Sequence, residues 1–180
     1  MTWQPMSLAI ETERLTLRLR DERDAAWYRE LIGERGEALP TLEEARLRLA
    51  RFRDLTIEIG IGALAIRRRA EGDVIGYCAL VVGRASLDEP EIAYELLRRF
   101  HGHGYATEAA RALVDAAAAT GRQRLWSTVR PWNLASLRVL EKTGFRRDHI
   151  TTDERGDIVW LLRDLGQVAS VQDADRRVRP

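Results

Sequence analysis

The amino-acid sequence predicts an α/β (α+β) fold in which helices cover a sheet, and three observations lead there. Glu13-Arg-Leu-Thr-Leu-Arg-Leu-Arg20 alternates apolar and polar residues with a period of two, the pattern of a half-buried strand. Ala106, Ala109, Ala110, Leu113 and Ala117 recur at helical spacing, a small-residue face that lets a helix pack close on a sheet. Turn signals separate such stretches, so the elements follow one another as β, α, α, β, β, β, α, β, α, β, β.

After the first strand, Asp21 to Glu34 sets Ala25, Tyr28, Leu31 and Ile32 on one helical face behind an acidic start that suits the helix dipole. Thr41 is followed three residues on by Glu44, a capping box, and Leu42, Ala45, Leu49 and Phe52 line a second helix to about Arg53. The arginines on its other face, Arg46, Arg48, Arg51 and Arg53, read as a solvated surface. Ile61–Ile66 and Val74–Val82 flank the turn signal Glu71-Gly-Asp73 and form a hairpin. Ile92-Ala-Tyr-Glu-Leu-Leu97 is a fourth strand, and the alanine-rich third helix follows it and stops at Gly121. Arg124–Val129 is a fifth strand. Asn133 caps a short helix over Leu134–Lys142, which Gly144 and Phe145 close in a Schellman ending. Arg155-Gly-Asp157 turns the chain between strands at Phe145–Thr152 and Ile158–Leu162. Residues 1–165 thus read as one domain and 166–180 as a polar, flexible tail.

Composition excludes several classes. The chain has 180 residues with a net charge of +1, so no polyanion partner such as nucleic acid is expected. Its one cysteine, Cys78, lies in an apolar run and reads as core, which leaves no intrachain disulfide. The N-terminus lacks a basic region followed by an apolar one, and no apolar stretch reaches the roughly 18 residues of a membrane span, so a cytoplasmic protein is expected.

The chemistry concentrates at Arg99-Phe-His-Gly-His-Gly-Tyr-Ala-Thr-Glu108. Gly102 and Gly104 can take positive φ, and the amides that open the following helix have no intrahelical partner, so the loop is suited to an anion. A nucleotide triphosphate loop would need Gly-Lys-Ser/Thr, and a dinucleotide loop a third glycine; both are missing. His101 and His103 stand at His-x-His spacing, but no third ligand lies near in sequence except His149, and no metal site is expected. Trp126 and Trp132 bracket the end of the fifth strand and read as core, with a wall of a substrate pocket as the alternative.

At this point the residues match a family. Arg99-Phe-His-Gly-His-Gly104 resembles the Gln/Arg-x-x-Gly-x-Gly/Ala motif of the GNAT superfamily of acetyl-CoA-dependent N-acetyltransferases. Glu13-Arg-Leu-Thr-Leu-Arg18, Gly104-Tyr-Ala-Thr-Glu-Ala109, and Asn133-Leu-Ala-Ser136 leading to Leu140-Glu-Lys-Thr-Gly-Phe145 are similar to the branch of bacterial ribosomal-protein N-terminal (alanine/serine) acetyltransferases. The resemblance runs from about residue 11 to 165. It implies a mixed, mostly antiparallel, twisted sheet of six to seven strands with about four helices and a splay between the fourth and fifth strands.

It also implies a set of roles. Phe100, His101, Gly102, His103, Gly104, Tyr105 and Ala106, with Arg99 at the head of the motif, would bind the pyrophosphate of coenzyme A. Pantetheine would lie in the splay against the backbone near Leu96 and Leu97, a ligand added as a strand, and Asn133 would reach the cofactor as well as cap its helix. Direct transfer of acetyl from sulfur to an amine needs a base for the ammonium and an acid for the departing thiolate. Glu91 is the expected base, with Glu95 on the same strand face as relay or alternative, while Tyr94 points the other way and reads as structural. The tyrosine that many relatives use as acid is replaced by Leu140, and Ser136 takes that role in the ribosomal-protein branch. An α-amino group of pKa about 8 costs about 1.4 kcal/mol to deprotonate at pH 7, against about 4.6 for a lysine. A protein N-terminus is therefore the first expected acceptor and a small-molecule amine the alternative; a non-catalytic coenzyme A-binding module is the rival from another class. The family builds acceptor pockets from the early helices and the last hairpin, here about residues 27 to 52 and 150 to 159.

Overall fold

The structure is a computed structural model and describes residues 3–166. Strands β1 (Ala9–Glu11), β2 (Leu15–Leu19), β3 (Ala63–Arg68), β4 (Val74–Val81), β5 (Glu91–Leu96), β6 (Arg124–Val129), β7 (Arg146–Asp153) and β8 (Gly156–Asp164) form one sheet in the order β1-β2-β3-β4-β5-β6-β8-β7. Every neighbouring pair is antiparallel except β5 and β6 at its centre. Helices α3 (Tyr105–Ala119) and α4 (Leu134–Lys142) cover one face. Their Ala109, Ala110, Leu113, Val114, Leu137 and Leu140 pack with Leu15, Leu17, Leu64, Ile66 and Cys78 of the sheet. Helices α1 (Ala25–Glu34) and α2 (Leu42–Ile59) cover the other face, where Trp27, Tyr28, Leu31, Ile32, Ala45 and Leu49 enclose Leu97.

The sheet is one strand wider than the six to seven expected, because β1 adds to the edge of β2; three residues are too few to display an alternation. Asp21 to Asp24 form a 3-10 turn with its own capping box before α1 begins. The box at Thr41 and Glu44 opens α2 as expected, but the helix runs to Ile59, past Arg53. Its stop is Gly60, left-handed at φ 75°. The Asn133 cap and the Schellman ending of α4 are both present, the latter through Gly144 N donating to Glu141 O (3.1 Å) and Phe145 N to Leu140 O (3.0 Å). The expected tail, apart from Gly166, lies outside the described residues. No described helix is long and apolar enough to cross a membrane.

Candidate active site

The parallel pair β5–β6 is joined at a single position, Glu91 opposite Trp126, where Trp126 N donates to Pro90 O at 3.0 Å. Ser127 Oγ adds a bond to Ile92 O (3.2 Å), and beyond it the strands part. Leu97 N donates to Ile75 O, so the antiparallel alternation turns residues 91, 93, 95 and 97 toward β4 and the main chain of 92, 94 and 96 toward β6. The Leu96 carbonyl there meets His101 Nε2 at 2.8 Å. Tyr94 keeps its N–H and C=O facing the wedge with no partner among the described residues. Such an edge accepts an extended amide chain.

The wedge widens into a cavity of about 630 Å³ whose wall includes Tyr94, Leu96, Phe100, Gly102, Gly104 and Ser136. At its wide end sits the glycine loop. Gly102 and Gly104 have φ 80° and 82°, which only glycine adopts without strain, and Gly104 N-caps α3 without any side-chain cap. The first amides of α3 therefore lie at the cavity wall without an intrahelical partner, an arrangement that favours an anion. Arg14 holds this loop from the bend just before β2: its Nη1 donates to His103 O (3.0 Å), its guanidinium lies 4.7 Å from the Tyr105 ring centre, and its Nε donates to Glu108 (2.7 Å). Burial works to raise the Glu108 carboxyl, but bonds from Thr12 Oγ1 (2.6 Å), Arg14 N (2.9 Å) and the Arg14 side chain outweigh it and hold the group below the usual glutamate range.

At the narrow end, α4 brings Ser136 over the wedge. Asn133 Oδ1 accepts from Ser136 N (3.1 Å), Ser136 Oγ donates to the Tyr94 hydroxyl (3.1 Å), and Tyr94 donates back to the Ser136 carbonyl (3.0 Å). Burial pushes the Tyr94 phenol well above its ordinary value, against the opposing bond from Ser136. It stays a neutral donor through the physiological range.

The acetyltransferase (GNAT) domain family matches residues 14–146 of this chain. The chain belongs to the GNAT family. The uncharacterized N-acetyltransferase p20 from Bacillus licheniformis is 27% identical over 152 residues, covering 80% of this chain and 85% of that protein. Among solved structures, ribosomal-protein-S5-alanine acetyltransferase from Vibrio fischeri superposes with a TM-score of 0.75 at 18% identity over 88% of this chain and 97% of that one. The yncA structure from Salmonella typhimurium, which holds its cofactor acetyl-CoA, superposes with a TM-score of 0.71 at 19% identity over 88% and 98%.

Within this GNAT domain the sequence-named residues separate into two groups. Leu96, Phe100, His101, Gly102, Gly104, Tyr105, Ala106, Asn133 and Ser136 line the cavity. Leu97, Arg99, His103 and Glu91 do not. Leu97 is fully buried under α1 and α2, and Arg99 turns away to an ion pair with Glu30 of α1. His103 points outward and stacks on Tyr105 at 5.8 Å. Glu91 is 5% exposed, and its carboxylate accepts bonds from Thr128 Oγ1 (2.6 Å), Ala85 N (3.2 Å) and Arg84 N. Glu95 does line the cavity and is ion-paired with Arg35.

Leu140 is fully buried in the core, facing away from the cavity. The core reading of Trp132 does not hold, because it is 76% exposed at the cavity rim. Trp126 is half-buried, donates to Glu89 (2.8 Å) and meets Trp160 edge-on. Among the described residues no group of three or more metal-ligating side chains comes together. Sequence reasoning missed Tyr94 as a functional residue and missed Arg14; the alternation that turned Tyr94 from the Glu91 face also turned it toward α4.

Proposed function

We propose that this chain moves an acetyl group from acetyl-CoA to a primary amine, with a protein N-terminal α-amino group as first acceptor. The observation that carries this reading is the continuity of the cavity, from unpaired helix amides at Gly104 to the Ser136–Tyr94 pair along an open strand edge. Pyrophosphate at the loop and pantetheine amides on the free N–H and C=O of Tyr94 would set the thioester beside Ser136. The cofactor supplies the activated acetyl group; the chain positions it and handles protons.

The amine nitrogen attacks the thioester carbonyl carbon, the C–S bond breaks, the nitrogen sheds a proton to water as the amide forms, and the thiolate needs one. Ser136 Oγ, whose hydrogen rests on Tyr94, gives it to the sulfur and regains a proton from the water that took the nitrogen's, while the neutral Tyr94, donating to the Ser136 carbonyl, keeps the start of α4 in place. The ammonium proton leaves earlier through the Thr128 hydroxyl to Glu91, a relay supported by their 2.6 Å bond. A relayed base is enough for an α-amino group, whose deprotonation at pH 7 costs only about 1.4 kcal/mol. Incubation with acetyl-CoA and a panel of peptides of differing N-termini, polyamines and aminoglycosides, read by mass spectrometry, tests this. One acetyl group on the peptide α-amine is expected; acetylation confined to the small amines would overturn the first-acceptor assignment.

A further inference from the structure

The chain has five tryptophans, and four of them have partners. Trp27 is buried in the α1–α2 layer, Trp3 carries the Arg122 guanidinium 5.5 Å from its ring centre, and Trp126 and Trp160 meet edge-on at 5.7 Å. Trp132 differs. Among the described residues no ring or guanidinium stacks on it, and at 76% it is more exposed than any other large apolar side chain there. An indole offers more apolar surface than almost any other side chain, so a bare one is an unused contact. The backbone beneath it is fixed: Asn133 N donates to Arg130 O and Leu134 N to Trp132 O, both at 2.9 Å. Arg130 is in turn tied to the β7–β8 hairpin through Asp153 (2.8 Å) and the Gly156 carbonyl (2.8 Å). A ring presented from a braced turn loses little freedom when something packs on it.

Its place along the cavity says what that something is. The start of α4 lines the cavity with Trp132 and Asn133 at one end, Ser136 between, and Lys142 at the other. The Lys142 end belongs to the donor loop, because Lys142 shares a second cavity wall with Gly104 and Thr107, and its carbonyl accepts from Arg111 Nη2 of α3 (3.2 Å). Trp132 lies four residues before Ser136, beyond the serine as seen from that loop. With pantetheine on the Tyr94 edge and the thioester at Ser136, the donor ends where Trp132 begins. The acceptor amine has to meet the carbonyl carbon at this point, and the side chain on the carbon next to that amine is the first group to reach the ring. Charge does not define the place: Arg130 is paired with Asp153 and Arg35 with Glu95. Apolar surface does, since the adjacent Leu134 is exposed as well.

We infer that Trp132 is a specificity-determining residue of the acceptor site, favouring α-amines whose first side chain is large and apolar. Peptides beginning with leucine, methionine or phenylalanine are then better acceptors than those beginning with alanine, serine or glycine. The inference rests on the acetyl-transfer reading of the cavity. The first side chain lies against the indole while the amine points into the wedge.

The test compares wild type with Trp132→Ala and Trp132→Phe on peptides identical except for the first residue. Wild type should prefer the leucine peptide to the alanine peptide by about 10-fold in kcat/KM, the effect of half-burying one leucine-sized side chain. Trp132→Ala should bring the ratio close to one through KM, and Trp132→Phe should keep most of it. A ratio unchanged in Trp132→Ala, a wild type that prefers alanine, or a loss carried by kcat alone would overturn the inference while leaving acetyl transfer intact. If no amine is acetylated at all, the acetyl-transfer reading fails, and the Trp132 indole N–H signal in ¹⁵N NMR, assigned by its loss in Trp132→Phe, still decides the site. It should shift on titration with N-acetylleucine amide and not with N-acetylglycine amide; equal shifts or none mean that the ring selects no apolar side chain.

Discussion

Gly104→Asp separates cofactor binding from folding. A Cβ at this position would meet Arg14 Nη2 at 3.4 Å, an ordinary contact, so the substitution is not blocked by space. The backbone at φ 82° is the remaining structural cost, and aspartate tolerates it at about 1 kcal/mol, which lowers Tm by roughly 2–4 °C. The charge acts differently. A carboxylate about 5 Å from a bound phosphate repels it by roughly 3 kcal/mol at an effective dielectric of about 20, a loss of roughly 100-fold in affinity. Calorimetric titration with coenzyme A beside a thermal melt reads both numbers, and Gly104→Ala supplies the strain without the charge. A coenzyme A affinity within twofold of wild type in Gly104→Asp would refute the phosphate site at the head of α3.

Ser136→Ala is expected to lower kcat by about 100-fold with little change in acetyl-CoA affinity, in the range usual for a proton-transfer group; stopped-flow thiol release checks it. Glu91→Gln and Thr128→Val should each slow turnover at pH 7 and recover as pH rises and the free amine fraction grows, which a pH–rate profile records. Leu140→Tyr should not supply an acid: Leu140 is fully buried, and the larger side chain destabilises by about 1–3 kcal/mol, read by urea unfolding. Glu108, held below its ordinary range, contributes stability that is fully present above about pH 4.5 and is lost as pH falls through its depressed folded value. Glu108→Gln should flatten the acid limb of a Tm-against-pH curve.

Local signals in the sequence reached far into this structure because they are written within a turn or two of chain. The Thr41–Glu44 box, the Asn133 cap and the Gly144–Phe145 ending depend on neighbours three to five residues apart, and each stands where the residues place it. The glycine loop is legible for the same reason. Tertiary pairings were not. Arg14 and Glu108 both fall in recognisable motifs, yet they are 94 residues apart and only the fold shows that one braces the loop through the other. Tyr94 and Ser136 are 42 apart, and strand alternation could tell which face Tyr94 takes but not that α4 lies on it. Glu91 stands at the expected strand start, but the amides of Arg84 and Ala85 fold over it from a polar connection with no periodicity to read. The end of α2 was obscured by charge: Arg51, Arg53 and Asp54 break the apolar stripe, and the signal that mattered was Gly60, seven residues beyond Arg53.

If the proposed function is right, the wedge carries out chemistry and does not merely hold a cofactor. Amine-dependent release of free thiol from acetyl-CoA, measured with the full chain and a peptide bearing a free N-terminus, tests it most directly. Turnover should saturate in both substrates and fall sharply in Ser136→Ala. Tight acetyl-CoA binding with thiol release no faster than the uncatalysed rate, for every amine offered, would contradict it.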